Sequence, residues 1–130
     1  MSMSVSLWFG VYVVFNVLLL TALAINVSRL RIVRKVAHGD GGDVAIKAAI
    51  RTHVNGVENV PIFALVLLAL EFAQASTGLL AGLVLVFCAA RLAHAVGMLT
   101  PYFNFRRLGA GLTYACQIVG ALAIVPSLLG

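Results

Sequence analysis

Four long apolar segments, separated by short polar stretches, make up most of the chain. They cover residues 5–36, 44–73, 78–99 and 106–128. An apolar run of about 20 residues is enough to cross the roughly 30 Å hydrocarbon core of a bilayer. The pattern therefore predicts four transmembrane helices in one domain over residues 1–130, an all-α integral membrane protein folded as a left-handed four-helix bundle with short loops.

Glycine, aspartate and proline residues indicate where these helices end, begin and bend. Gly39, Gly41 and Gly42 permit positive φ and predict the end of the first helix, and Asp43 is suited to cap the second. Pro61 lies inside the second segment and removes one intrahelical hydrogen bond, so a kink is expected there.

Small residues recur at four-residue spacing along the third segment. Gly78 and Gly82 form one such pair, and Ala89, Ala93 and Gly97 continue the spacing farther along. Small side chains let the backbones of membrane helices approach closely. We therefore expect tight helix packing along this face of the third helix.

The composition excludes a soluble domain and gives the chain an orientation. Hydrophobic residues make up 62% and charged residues 10% of the sequence, with a mean hydropathy of +1.09 and a net charge of +5. Eight of the nine basic residues fall near the loops that follow the first and third segments. By the positive-inside rule both loops are cytoplasmic and both termini lie outside, and this concentrated charge reads as a topology signal rather than as nucleic-acid binding.

A polar stripe interrupts the second apolar segment. Arg51, Asn55 and Glu58 stand at positions i, i+4 and i+7, which places them within roughly a 60° arc of one helix face. A carboxylate at mid-membrane costs on the order of 2.5 to 3.5 kcal/mol, so Glu58 is expected to face protein or a water-filled pocket. Two interpretations stay open at this point: the stripe lines a functional site, or Arg51 and Glu58 simply pair with each other or with neighbouring helices.

The cysteines and histidines do not indicate a metal centre or a disulfide. Cys88 and Cys116 lie deep within apolar segments and form no CxxC motif, so we interpret them as small core side chains. His38, His53 and His94 are scattered along the sequence. No metal site is predicted.

Several stretches resemble one family of membrane proteins. RTHVNGVENVP, residues 51–61, is similar to the second-helix signature of the MAPEG family, the membrane-associated proteins in eicosanoid and glutathione metabolism: Arg, then His or Gln, then Asn, then Glu, followed by Pro. RLRIVRKVAHGDGGD, RLAHAVGMLTPYFNFRRLG and the chain length resemble bacterial members. The resemblance implies a homotrimer in the bacterial inner membrane, with glutathione bound between neighbouring subunits at the cytoplasmic side.

The resemblance also assigns roles to individual residues. It implies that Arg107 activates the thiol, as the catalytic residue, and that glutathione as thiol cosubstrate contacts Arg34, Arg51, His53, Asn55, Glu58 and Arg91. Guanidinium groups pair with carboxylates, of which glutathione has two, and a carboxylate such as Glu58 holds its ammonium group. A nearby arginine or a helix N-terminus lowers the pKa of a thiol from its reference value of about 8.5.

The sequence departs from catalytic members of the family at three places. Asn59 stands where some of them have Tyr after the Glu, and the third helix offers His94 and Met98 where they carry Tyr. Leu108 follows Arg107 where the prostaglandin-forming branch has Ser. Tyrosine roles therefore do not transfer to this chain, and an eicosanoid-specific activity is not expected.

Three functional hypotheses follow. The one we favour is a glutathione-dependent transferase or peroxidase that acts on lipophilic electrophiles or hydroperoxides dissolved in the bilayer. The second is a non-catalytic protein of the same fold that binds a thiol or an anionic lipid. The third, a small transporter or channel subunit, is disfavoured because the polar stripe occupies one end of its helix and no continuous polar pathway is visible.

Overall fold

Four α-helices account for most of the described chain. The structure, a computed structural model, describes residues 4–130, so the first three residues of the predicted domain, with the N-terminus predicted to lie outside, are not among the described residues. The helices are α1 (Leu7–Arg34), α2 (Val44–Phe72), α3 (Thr77–Leu99) and α4 (Phe103–Leu128). All four are long and apolar enough to cross a membrane, with a mean hydropathy of 1.5 to 2.2 in their most apolar stretches. The predicted four-span, all-α membrane fold is confirmed.

The first helix ends before its loop glycines, not at them. Lys35 adopts a left-handed conformation with φ of 56°, and the N–H of Val36 donates to the carbonyl of Arg31 at 2.9 Å. Lys35 thus takes the left-handed position that a glycine often occupies at the end of a helix, and the hydrogen bond of Val36 closes the last turn. The prediction that the glycines stop α1 was therefore wrong, although all three have positive φ in the loop that follows.

The predicted cap of the second helix is confirmed. The carboxylate of Asp43 accepts hydrogen bonds from the backbone N–H groups of Ala45 at 2.9 Å and Ile46 at 3.1 Å. Two of the amide groups that lack intrahelical partners at a helix start are satisfied in this way. The second helix therefore begins at Val44, as predicted.

The fourth helix begins three residues earlier than predicted, at Phe103. Pro101 interrupts the chain after α3, and its carbonyl accepts a hydrogen bond from the N–H of Phe103 at 3.0 Å. As a result Arg106 and Arg107 are the fourth and fifth residues of α4. Both guanidinium groups thus project from the first turns of a helix.

An aromatic cluster holds α1, α2 and α3 together. The rings of Phe63 and Phe87 stack with their centroids 4.3 Å apart, and Tyr12 packs against them at 5.7 and 5.4 Å respectively. All three side chains are fully buried. Aromatic pairs at such separations stabilise a fold by about 0.5 to 1.5 kcal/mol beyond the area they bury.

The proline of the second helix lies next to this cluster. α2 continues through Pro61 without a break. The hydroxyl of Tyr12 donates to the carbonyl of Val60 at 2.7 Å, directly before the proline. A side chain from a neighbouring helix therefore hydrogen-bonds the backbone of α2 beside the point where proline weakens its ladder.

The backbones of α3 and α4 lie directly against each other at two glycines. Both α2 and α3 contact all three other helices, whereas α1 and α4 do not contact each other within residues 4–130. A methyl group on Gly97 would collide with the backbone of Arg106, and one on Gly109 would collide with the backbone of His94. The predicted tight packing is confirmed at Gly97.

The two glycines near the start of α3 do not pack closely. Gly78 and Gly82 have no neighbouring atom within 4 Å of the position that a side chain would take. The expectation of close packing at these two glycines was wrong for the single protomer. Their face of α3 is open, so it meets lipid or another copy of the chain.

Apolar side chains cover the outside of the bundle. Residues that are more than half exposed include Val14, Leu18, Ile25, Leu65, Leu85, Ile118 and Leu122. Contiguous exposed apolar surface of this kind is rare on soluble monomers. It is the surface that a membrane-spanning bundle presents to lipid tails or to a neighbouring protomer.

The Gly97 contact predicts a stability difference between two glycine substitutions on one helix. Gly97→Ala should destabilise the protein by about 1 to 3 kcal/mol, because the added methyl group forces α3 and α4 apart. Gly82→Ala is the matched control: its methyl group enters open space and should leave stability unchanged or slightly raised. Thermal unfolding in detergent measures both, and equal behaviour of the two variants would contradict the close contact.

Candidate functional site

An open pocket lies at the end of the bundle where α3 ends and α4 begins. Its volume is about 350 Å³, within the range of roughly 300 to 1,000 Å³ that is usual for small-molecule sites. Three helices supply its lining residues: Ile50, Arg51, Val54, Asn55, Glu58, His94, Met98 and Arg106. We call it the α2–α4 pocket. The predicted stripe of Arg51, Asn55 and Glu58 forms one of its walls.

The charged side chains of this pocket are not paired with one another. Within residues 4–130 the one ion pair is Arg34 with Asp43, and neither Arg51 nor Glu58 forms a hydrogen bond through its side chain. The interpretation that Arg51 and Glu58 pair structurally is therefore wrong for the protomer. Two cations, Arg51 and Arg106, and one anion stand in the same pocket with their charges available to a ligand.

A buried arginine supports the pocket from behind. Arg91 is 3% exposed, and its Nη2 donates to Oδ1 of Asn55 at 2.7 Å. Its Nη1 lies 3.4 Å from Oγ1 of Thr113, which itself donates to the carbonyl of Gly109. Because Oδ1 of Asn55 accepts from Arg91, the side-chain amide leaves its N–H₂ group, a donor, for the pocket.

A pair of side-chain amides, from Asn59 and Gln117, extends this network along the bundle. Nδ2 of Asn59 donates to the backbone carbonyl of Asn55 at 2.8 Å, and Nε2 of Gln117 donates to Oδ1 of Asn59 at 3.0 Å. Asn59, one of the departures from the family pattern, therefore links α2 to α4. It does not line the α2–α4 pocket.

The remaining predicted site residues lie elsewhere on the protomer. Arg34 is held by Asp43 at 2.9 Å beside the first loop. His53 lines a separate groove of about 280 Å³ together with Ala24, Val27, Ser28, Arg31 and Ile50. Arg107 lines a third depression with Phe103, Arg106 and Ala110. The predicted residues thus divide among three depressions, the first loop and the buried position of Arg91, and Arg106 borders two of the depressions.

Arg31, His94 and Arg106 line these depressions although no site role was predicted for them. The shared face of His94 and Met98 on α3 was visible from their spacing, but nothing in the sequence showed that it meets the stripe on α2. Arg106 lines the α2–α4 pocket of the protomer, whereas Arg107 lines the depression beside it. Arg31 lines the groove beside His53, whereas Arg34 pairs with Asp43.

The described residues contain no other obvious centre of chemistry. No three His, Cys, Asp or Glu side chains within residues 4–130 come together as metal ligands. Cys88 and Cys116 are free and buried. The α2–α4 pocket is therefore the principal candidate site.

Four membrane-spanning helices, with the polar stripe of α2 facing a pocket, define a class of small integral membrane proteins. The model of the MAPEG family matches residues 9–125, and the chain belongs to that family. It is 36% identical over 114 residues to the inner membrane protein YecN of Escherichia coli strain K12. The matched stretch covers 88% of this chain and 87% of that protein. The YecN protein of Escherichia coli O6:H1 matches with the same values.

The buried hydrogen bond between Arg91 and Asn55 predicts the effect of two substitutions. Asn55→Leu should destabilise the protein by about 1 to 3 kcal/mol, because it leaves a buried guanidinium donor without its acceptor. Asn55→Asp keeps the acceptor and should fold at least as stably as the parent chain. Thermal unfolding in detergent checks both variants.

Asn26 provides the matched control, since its Oδ1 accepts from Arg29 at 2.8 Å in an exposed pair. Asn26→Leu should change stability little, because water replaces the lost hydrogen bond. If Asn55→Leu unfolded at the same temperature as Asn26→Leu, the buried network would not contribute to stability.

Proposed function

We propose that this protein is a glutathione-dependent transferase or peroxidase of the membrane, acting on lipophilic electrophiles or hydroperoxides. One observation carries the proposal: Arg51, Glu58 and Arg106 share one open pocket with no charged partner among the described residues. Unpaired charges of both signs at one place match a ligand that is itself a zwitterion with additional acid groups.

The lining chemistry fits the functional groups of glutathione. Guanidinium groups bind carboxylates through two parallel hydrogen bonds, so Arg51 suits one of its two acid groups. Glu58 suits the ammonium group. The N–H₂ group of Asn55 adds a donor of fixed orientation, because Arg91 occupies its oxygen.

The position of Arg106 suits thiolate stabilisation. It is the fourth residue of α4, where backbone N–H groups and the helix dipole add to the positive charge. Such an environment lowers the pKa of a thiol from about 8.5 toward neutrality. Glutathione supplies the nucleophilic sulfur when bound, and the protein residues orient it and stabilise its negative charge.

We further propose that the active form is a homotrimer in the bacterial inner membrane, with both basic loops in the cytoplasm and both termini outside. The positive-inside rule supports this orientation, and the printed name of the relative, inner membrane protein, supports the compartment. In a trimer, the face of α1 and α2 that carries Arg31 and His53 can close the open side of the pocket in a neighbouring protomer. Residues that lie on separate faces of one protomer would then meet between two.

The first prediction concerns affinity. Arg51→Ala and Glu58→Gln should each weaken glutathione binding by about tenfold or more, because each removes a charged partner of the ligand. Isothermal titration on detergent-purified protein measures this. Arg29→Ala and Glu71→Gln are the matched controls, since Arg29 is exposed beside Asn26 and Glu71 contacts Ser6 near the other end of α2. Equal affinities in all four variants would contradict the assigned pocket.

The second prediction separates the two arginines of α4. Arg106→Ala should raise the apparent pKa of bound glutathione thiol toward about 8.5 and so reduce the thiolate absorbance at neutral pH. Arg107→Ala should change it less, because within one protomer Arg107 faces a different depression. The thiolate band, followed across pH with saturating glutathione, measures both.

The opposite order would transfer activation to Arg107, as the family resemblance implies, and would place that residue in the pocket of a neighbouring copy. Glutathione binding without any lowering of the thiol pKa would favour the non-catalytic alternative, a membrane protein that binds a thiol or an anionic lipid. No glutathione binding by the intact oligomer would overturn the proposed function.

A further inference from the structure

The imidazole of His94 is buried and incompletely hydrogen-bonded, yet it lines the α2–α4 pocket. Its residue is 4% exposed. Within residues 4–130 its Nδ1 is fully buried and has no hydrogen-bond partner. Buried polar atoms without partners are uncommon in folded proteins, so this one calls for an explanation.

The missing partner at Nδ1 decides which form of the ring fits this place. A proton on Nδ1 would be a buried N–H donor without an acceptor, which is rarer in proteins than an acceptor without a donor. The same objection applies to the doubly protonated ring, since both of its nitrogens are donors. The structure therefore favours a neutral ring with its proton on Nε2.

Nε2 is also the ring nitrogen available to a ligand. Because Nδ1 is sealed inside the protein, the only polar side-chain atom that His94 can offer to the pocket is Nε2. A proton on Nε2 would give a donor to a pocket that already holds Arg51 and Arg106. An anionic or strongly accepting atom is the chemical group that completes this arrangement.

Packing holds the backbone of His94 in place. A methyl group on Gly109 would collide with the backbone of His94, so α4 lies directly against this part of α3. The charged groups around the ring are Arg51 and Glu58 from α2, Arg91 on α3 and Arg106 from α4. The ring is thus presented from a rigid helix contact, which suits a group that orients a reacting atom.

We propose that His94 is a catalytic residue that donates a hydrogen bond from Nε2 to the sulfur of the bound thiolate. The assignment rests on the proposed function and names a second contact to the nucleophile. The thiol proton passes to water, and one lone pair on the thiolate sulfur accepts the Nε2 hydrogen bond. A second lone pair forms a bond from sulfur to the electrophilic carbon, while the bond from that carbon to its leaving group breaks and the leaving group departs as an anion with that electron pair. His94 keeps its proton throughout, so it stabilises the anion and does not act as the base.

Two substitutions test this role with readouts other than turnover. His94→Phe keeps a ring of similar size without a donor, whereas His94→Gln keeps an N–H donor at a comparable reach. His94→Phe should raise the apparent pKa of the thiol of bound glutathione by about one unit. At a fixed pH below that pKa, this is about a tenfold loss of thiolate. His94→Gln should recover part of that shift.

A blocked ligand separates the sulfur contact from general positioning. S-methylglutathione has no thiol to ionise, so its affinity should be the same in the parent protein and in His94→Phe. An equal loss of affinity for the blocked and the free thiol would show that His94 only shapes the pocket, which would overturn the proposal. His38→Phe, the same change at an exposed histidine of the first loop that does not line the α2–α4 pocket, is the control and should leave the thiol pKa unchanged.

The failures of this inference and of the proposed function are distinguishable. If the parent protein binds glutathione and forms thiolate, and His94→Phe forms it equally well, only the role of His94 is overturned. If the parent protein does not bind glutathione, both are overturned. Should His94→Phe fail to fold, ¹⁵N NMR of histidine-labelled parent protein still decides, because a proton found on Nδ1 of His94 would contradict the donor at Nε2.

Discussion

The guanidinium of Arg91, buried in the middle of the bundle, sets the positions of its neighbours. A charge removed from water must be hydrogen-bonded, and its acceptors must be accurately placed. Asn55 on α2 and Thr113 on α4 supply these acceptors, so three helices meet at one side chain from α3. Both acceptors are neutral, and the positive charge is not cancelled by any ion pair within residues 4–130. An uncompensated buried cation next to an open pocket favours an anionic ligand there.

The polar network and the aromatic cluster divide the bundle into two parts. Around Arg91, amide and hydroxyl groups connect α2, α3 and α4. Beyond them the stacked rings of Phe63 and Phe87, with Tyr12 against them, are fully buried. This apolar layer argues against the hypothesis of a transporter or channel, because ions crossing the bundle would have to pass through packed aromatic side chains. The pocket is better explained as a site open at one end of the protein.

The length of the apolar segments predicted the four helices because a bilayer imposes a simple length and composition rule on each of them. Helix spacing also placed Arg51, Asn55 and Glu58 on one face correctly, since three positions within one helix depend on local geometry alone. Features that depend on contacts between helices could not be obtained in this way. Which of Arg106 and Arg107 lines the pocket depends on how α4 packs against α2 and α3, and the burial of Arg91 depends on neighbours from two other helices.

The same distinction explains why the single protomer leaves the proposed site open. His53 of α2 lines a groove with Arg31 of α1 on one side of α2. Arg51 and Glu58 of the same helix lie in the α2–α4 pocket on another side. A helix is only about 10 Å across, so one helix can contribute to two grooves but cannot turn both groups toward one ligand. Residues on both faces can contact the same molecule only if another copy of the chain brings its own groove against the pocket. If glutathione is held by the whole set of residues that the family resemblance implies, its binding and the assembly of protomers are therefore coupled, and each should stabilise the other.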